Sequence, residues 1–476
     1  MSVTHPVLLI IIGIAVILAA GCTQPAVEKP KVQETPVLTM AVPVTLNGSD
    51  TVTARELDNY MTALTDAGRF SGSVVVARGN TVLLSKGYGM ANYEFSAPNS
   101  QQTVLPVGSN TKQFTAAAIM KLQEQGKLNV TDPVTRYIPD ATNWKDIRIY
   151  HLLNHTAGVQ SDGAFSITDP VDLTLPETME RITALPLTFE PGSGYTYSNN
   201  GYIALSYIIG QASGMSYEDY LKKNLFLPIG MNSTGQDNAR TVFLNRASGY
   251  TTMNGSHIHY DLQNIHNSWG AGSVHSTTDD MFRWVRAFHT PGTILSPESA
   301  TAMLENHYGI EKGIAKNRTY SGHGGRNFGF TSYTLYYPET DVSIMFLSNH
   351  DRTPMATLPN DLSAIVFGEP YSLPQKIDRK AVPLTTGTLA EYTGTYAPVW
   401  EKSWTITVYT DGNRLFYDSV MPGDKKVELF YGGNDTFFVT PESNDAFIFT
   451  RNAAGKVDRL KMYTMEGVLD ESEKIS

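Results

Sequence analysis

Apolar positions recur along this chain with two periods, and the period changes from segment to segment. Leu57, Tyr60, Met61 and Leu64 fall three and four apart, the spacing of one helix face, and Ser49, Asp50 or Thr53 could cap the helix they predict. From residue 70 the pattern shortens. Two apolar runs, 73–77 and 82–84, flank Arg78-Gly79-Asn80, so residues 70–94 read as a β-hairpin. Helical texture returns over 109–125, near 176–184, through the strongly apolar 202–212, at 217–224 and from 276 to 288. In the last of these, Thr277 and Asp280 stand at capping-box spacing, with Asp in place of the usual Glu. Runs at 331–337 and 342–347, joined by Pro338-Glu339-Thr340-Asp341, read as adjacent strands. Strands first, helices in the middle and strands last predict an α+β fold: an antiparallel sheet flanked by helices, with a helical subdomain.

Both ends depart from this texture. Pro370, Pro374 and Pro383 mark a break over 369–387, and after it short alternating runs from 391 to 463 are separated by turns. Asp411-Gly412-Asn413, Pro422-Gly423-Asp424, Gly432-Gly433-Asn434 and Ala454-Gly455-Lys456 are those turns, and they predict a small all-β domain, barrel or sandwich. At the other end, residues 7–20 form an apolar run that is shorter than the roughly 20 residues a spanning helix needs. It fits the hydrophobic region of a secretory signal peptide. Small residues leading into Gly21-Cys22 resemble a lipobox, which makes Cys22 the expected lipidation site. The first six residues lack Lys and Arg, unlike a standard leader, and an uncleaved membrane anchor is the alternative. Either way the expectation is an extracytoplasmic, membrane-tethered protein. The expected organisation is 1–22 signal peptide, 23–50 Pro-rich tether, 51–368 main domain, 369–387 linker and 388–476 small all-β domain.

Composition narrows the chemistry. The chain has 476 residues and a formal charge of −10 with no long basic run, which argues against a nucleic-acid partner. Cys22 is the single cysteine, so an intramolecular disulfide and a Cys-based metal cluster are both excluded. Neither G-x-S-x-G nor H-E-x-x-H occurs. His257, His259 and His266 lie in a polar stretch that reads as a surface loop, and His155 and His275 read as structural. No metal or cofactor is expected.

The remaining chemistry lies in three short segments. Ser109 and Lys112 form an S-x-x-K pair at the start of a predicted helix, where three residues are nearly one turn and hydroxyl and amine share a face. A neighbouring amine can help remove a serine proton; the plainer reading is a capping serine with an exposed lysine one turn on. Tyr197-Ser198-Asn199 follows a Pro/Gly-rich loop that enters the apolar helix. His323-Gly324-Gly325 precedes the strand pair, and glycines there would let another group approach the backbone closely.

In this order and spacing the three segments resemble the serine β-lactamase and penicillin-binding-protein superfamily, in the branch of class C β-lactamases, DD-peptidases and related esterases. Residues 150–159 and 270–280 match as well, and the resemblance extends from about 53 to 366. Residues 391–463 are similar to the lipocalin-like β domain often appended to such enzymes. The resemblance implies Ser109 as nucleophile and Lys112 as its assistant. Tyr197 would be the general base for acylation and the acid for the leaving group, its phenolate favoured by nearby cations and donors. Asn199 would bind the acyl side chain or hold Lys112. His323, Gly324 and Gly325 would bind substrate, and the backbone N–H groups of Ser109 and Arg326 would form the oxyanion hole. The family's third motif usually begins with Lys, which pairs with a substrate carboxylate; His323 is mostly neutral near pH 7. An anionic substrate would then be held less firmly unless Arg326 substitutes. The implied activity is an acyl-enzyme hydrolase, an esterase, amidase or D-amino-acid peptidase acting on a small ester, amide or peptide. β-Lactamase or DD-carboxypeptidase activity is the first alternative. A non-turnover binding protein for an envelope or peptide ligand is the second.

Overall fold

The computed structural model describes residues 46–161, 173–238, 241–253, 256–260, 264–376, 379–398, 405–419, 425–439, 446–464 and 467–476. The apolar run at 7–20, Cys22 and the Pro422-Gly423-Asp424 turn lie outside them. Among the described residues no helix is long and apolar enough to cross a membrane.

Helix α1 (Gly48–Asp66) starts earlier than its apolar stripe requires. Asn47 caps it by accepting a hydrogen bond from the Asp50 N–H at 2.8 Å. Asp50, one of the expected caps, is instead buried and paired with Arg78 at 2.5 Å. Strands β1 (Gly72–Arg78) and β2 (Thr81–Tyr88) form the predicted hairpin. Helices α2 (Thr111–Glu124), α3 (Asn199–Ser213) and α4 (Thr278–His289) follow, with shorter helices among them. Then come β3 (Glu311–Ala315), β4 (Arg318–Asn327), β5 (Phe330–Tyr337), β6 (Val342–Ser348) and helix α5 (Thr357–Phe367). The sheet has six strands in the order β3-β4-β5-β6-β1-β2, and every neighbouring pair is antiparallel.

The period of two in the strands sets two cores. Val74, Val76, Ile344 and Phe346 share one with Leu57, Tyr60 and Leu64 of α1 and Leu358 and Leu362 of α5. Their neighbours Val75, Ala77, Met345 and Leu347 belong to the other, with Phe114 and Ile119 of α2 and Trp284 of α4. Helices therefore cover both faces of the sheet, and the fold is α+β as expected.

The all-β region is a closed barrel: β7 (Gly394–Pro398), β8 (Ile406–Asp411), β9 (Arg414–Ser419), β10 (Val427–Gly433), β11 (Thr436–Phe438), β12 (Ala446–Arg451), β13 (Val457–Thr464) and β14 (Gly467–Lys474). β7 pairs with both β8 and β14, which closes the ring and leaves no edge strand. Tyr396, Val408, Phe437, Phe449 and Leu460 are among the buried side chains of its core.

Two expectations need correction. The segment around His323, read as a Gly-rich run ahead of a strand pair, is itself the strand β4, with β3 outside it. Asp280 does not complete a capping box. Thr277 caps α4 by accepting from the Asp280 N–H at 3.2 Å, but the Asp280 carboxylate accepts from the Ser233 N–H at 2.8 Å and the Thr234 hydroxyl at 2.9 Å. A shorter side chain than Glu engages a different strand end.

Candidate active site

The chain reaches Ser109 through a tight turn, Gly108–Asn110, that leads directly into α2. Gly108 has φ +52°, a conformation glycine tolerates best. Ser109 makes no capping hydrogen bond to the helix, so the plain capping reading fails. Lys112, three residues on, is fully buried. Its Nζ donates to Ser109 Oγ at 3.1 Å, Asn199 Oδ1 at 2.9 Å and the Ala271 carbonyl at 2.8 Å. Of the two roles considered for Asn199, the geometry is that of holding Lys112. An ammonium so surrounded is fixed rather than mobile, and its charge lies against the serine oxygen.

Ser198 caps α3 by accepting from the Gly201 N–H at 3.0 Å, and this places Tyr197 and Asn199 on either side of the helix start. The Tyr197 hydroxyl is hydrogen-bonded to Ser109. Lys112 Nζ lies 4.7 Å from the centre of the Tyr197 ring. The expectation of a favoured phenolate is not met: burial raises the Tyr197 pKa despite the Ser109 hydrogen bond, and Glu311 and Tyr195 raise it further. At rest Tyr197 is a phenol.

Strand β4 brings the third segment over the turn. A Cβ on Gly325 would lie 2.0 Å from the Val107 carbonyl, and one on Gly108 would lie 2.8 Å from the Arg326 nitrogen. The two backbones thus leave no room for a side chain between them. Buried polar side chains fix this meeting. Asn110 donates to Ser332 Oγ at 2.7 Å, Ser332 donates to the Val107 carbonyl at 2.6 Å, and Gln113 donates to Asn110 and Thr334 at 2.6 and 2.9 Å. Thr334 accepts from the His323 N–H at 3.3 Å.

His323 is buried, and its Nδ1 contacts the Gly324 carbonyl at 2.5 Å, which assigns the proton to Nδ1. Desolvation first and the Lys112 charge second push its pKa down to about 4. His155, read from sequence as structural, stacks on Tyr197 with ring centres 4.5 Å apart. Its Nδ1 accepts from the Ser198 N–H at 3.0 Å, and burial and Lys112 push its pKa down to about 3. Only its place within the matching segment 150–159 pointed to it. Tyr197, His155 and His323 wall a cavity of about 500 Å³ together with Tyr195, His307 and Glu311. Among the described residues, no group of three or more His, Cys, Asp or Glu could hold a metal ion.

A beta-lactamase family profile matches residues 57–366, which contain every element of this site. The chain belongs to the beta-lactamase family. It is therefore a serine hydrolase of the β-lactamase and penicillin-binding-protein superfamily. It is 28% identical to penicillin-binding protein 4* of Bacillus subtilis over 423 residues, 81% of this chain and 91% of the relative. The putative penicillin-binding protein PbpX of the same organism is 29% identical over 62% of this chain and 73% of its own length. Among solved structures, the octameric penicillin-binding protein homologue from Pyrococcus abyssi superposes with a TM-score of 0.60 at 22% identity, covering 88% of this chain and 99% of that one. A D-amino acid amidase from Ochrobactrum anthropi SV3, complexed with L-phenylalanine amide, has a TM-score of 0.60 at 21% identity over 66% of this chain and 99% of that one. At such identities these two structures speak for the fold.

Proposed function

We propose that this member of the family hydrolyses small esters, amides or D-amino-acid peptides through an acyl-enzyme on Ser109. The observation that carries the reading is the serine oxygen held between the Lys112 ammonium and the Tyr197 hydroxyl, beside the gap between the Gly108–Ser109 and Arg326 backbones. Ser109 Oγ attacks the substrate carbonyl as its proton passes to the Tyr197 oxygen. Tyr197 gives its own proton to the departing amine or alkoxide, so a phenol with a raised pKa acts as a relay and not as a resting base. Lys112 offsets the negative charge that develops on either oxygen. The Ser109 and Arg326 N–H groups receive the carbonyl oxygen as it becomes an oxyanion. Water then attacks the ester by the reverse relay, restoring the serine and releasing the acid.

A neutral His323 in place of a lysine favours substrates without a carboxylate at this position, and a D-amino acid amidase with the same fold accords with amide cleavage. A short-chain p-nitrophenyl ester, a chromogenic cephalosporin and a D-Ala-terminated peptide test this, with intact-mass analysis of quenched reactions. The expected result is ester turnover with an acyl adduct on Ser109, both absent in Ser109→Ala. Efficient cephalosporin turnover would move the assignment to the β-lactamase alternative. No adduct and no Ser109-dependent turnover would leave a binding protein.

A further inference from the structure

The charge pattern of the cavity exceeds what the catalytic groups need. Among its described lining residues there is no Lys or Arg, and Glu311 brings a carboxylate. Glu311 opens β3 opposite Gly322, next to His323. Its carboxylate makes no hydrogen bond with a described residue; His307, on the same wall, favours its ionised form, and its own field reaches Tyr195 and Tyr197. Glu311 is exposed at the cavity wall, so its carboxylate is open to a cation that enters the cavity.

We propose that Glu311 is a specificity-determining residue that receives a substrate cation, so that preferred substrates carry a free ammonium group close to the scissile carbonyl. Amino-acid amides and esters, and peptides cleaved beside a free amino terminus, are that class. The proposal rests on the reading of Ser109 as nucleophile. Three features of the cavity support it. His155 and Tyr195 add aromatic surface beside the carboxylate, their ring centres 6.0 Å apart, and an ammonium is attracted to such faces. The neutral state of His155 and His323 removes the repulsion that two imidazolium groups would exert on it. A substrate carboxylate in the same place would meet Glu311 and be rejected. There is also a catalytic consequence. Glu311 opposes negative charge on the Tyr197 oxygen, and an ammonium bound to Glu311 cancels that opposition only while substrate is present.

The test compares D-alanine p-nitroanilide with its N-acetyl and N-succinyl derivatives in the full chain, with Ser109-dependent p-nitrophenyl acetate hydrolysis as the check on the nucleophile. The free amine should lead the N-acetyl derivative in kcat/KM by about tenfold or more, the N-succinyl derivative should be poorest, and Glu311→Gln should collapse the first ratio mainly through KM. Glu311→Lys should invert the order in favour of the succinyl derivative. Calorimetric binding of D-alaninamide and N-acetyl-D-alaninamide to the Ser109→Ala protein measures the preference without turnover and without altering Glu311. If the two amides bind equally, or if Glu311→Gln keeps the wild-type ratio, the proposal is overturned. Loss of Ser109-dependent ester turnover, with the amine preference intact in calorimetry, would overturn the nucleophile and keep Glu311 as a cation receptor.

Discussion

Gly324 and Gly325 are adjacent in sequence and identical in type, yet the structure asks different things of them. A Cβ on Gly325 would lie 2.0 Å from the Val107 carbonyl and 2.4 Å from Ser332 Oγ, both fixed by the strand and the turn before Ser109. One on Gly324 would lie 2.9 Å from Met355 Cε, the far end of a flexible side chain. Gly325→Ala must therefore push β4 away from the turn and widen the gap between the Ser109 and Arg326 nitrogens. A loss of about 10²–10³ in kcat is expected, with roughly 1–3 kcal/mol of stability. Gly324→Ala should lose much less of either, since Met355 can move. Steady-state kinetics on a p-nitrophenyl ester and urea unfolding of both variants check this; equal losses would mean that backbone proximity at Val107 is not what holds the gap. The glycines were visible in the sequence as a place of close approach. What approaches, the Val107 carbonyl, was not, because 218 residues separate it from Gly325 and no local pattern encodes that meeting.

At the scale of elements, legibility followed packing chemistry. β5 and β6 are runs of apolar and β-branched residues buried in the sheet, and their sequence limits lie within one residue of the structure. β4 was missed because Ser321-Gly322-His323-Gly324-Gly325 has low strand propensity; it is a strand because β3 and β5 pair with it on both sides. Ser109, Lys112 and Tyr197 were legible as candidates that the structure brings together, but the raised pKa of Tyr197 was not legible, since burial outweighs the local hydrogen bond. The start of α4 shows the same divide between local and distant partners. Thr277 acts within its own helix, whereas Asp280 reaches Ser233 and Thr234. Thr277→Ala should cost about 1 kcal/mol, the usual value of one cap. Asp280→Ala leaves the Ser233 N–H and the Thr234 hydroxyl without their carboxylate and should cost more, about 1–3 kcal/mol. Chemical denaturation of the two variants decides; a larger loss for Thr277 would mean that the helix cap, and not the cross-link, fixes this corner.

Over the whole molecule, histidine is distributed unevenly, and this gives the two folded regions different responses to acid. All 11 histidines lie at or before residue 350, so the barrel has none. In the hydrolase region desolvation pushes the pKa of His155 and His289 down to about 3 and that of His275, His323 and His350 down to about 4. For each, the unfolded chain gains a proton near pH 6.5 that the folded chain refuses until the pH is far lower. Unfolded molecules therefore bind more protons inside this window, and stability rises with pH there. The contribution is complete above about pH 6.5 and is lost as the pH falls toward 4, at up to about 1.4 kcal/mol per pH unit for each histidine. In the barrel the lowered groups are carboxylates, among them Asp435: Arg451 pairs with Asp435 and Glu391, and its hydrogen bonds hold the Asp435 pKa below the usual carboxylate range. That stabilisation is present above the ordinary carboxylate pKa and fades only as the pH falls below it. Urea unfolding between pH 7.5 and 4.5, followed by proteolysis and mass spectrometry, should show the hydrolase region losing stability steeply while the barrel, with its own core, barely changes. His289 stacks on Tyr336 with ring centres 3.9 Å apart and does not line the cavity, so His289→Gln should lessen the slope of the hydrolase region alone. A hydrolase midpoint that stays flat from pH 7.5 to 5 would show that the buried imidazoles are protonated in the folded chain. The neutral state argued for His155 and His323 would then fall, and with it part of the case for a cavity that welcomes a cation.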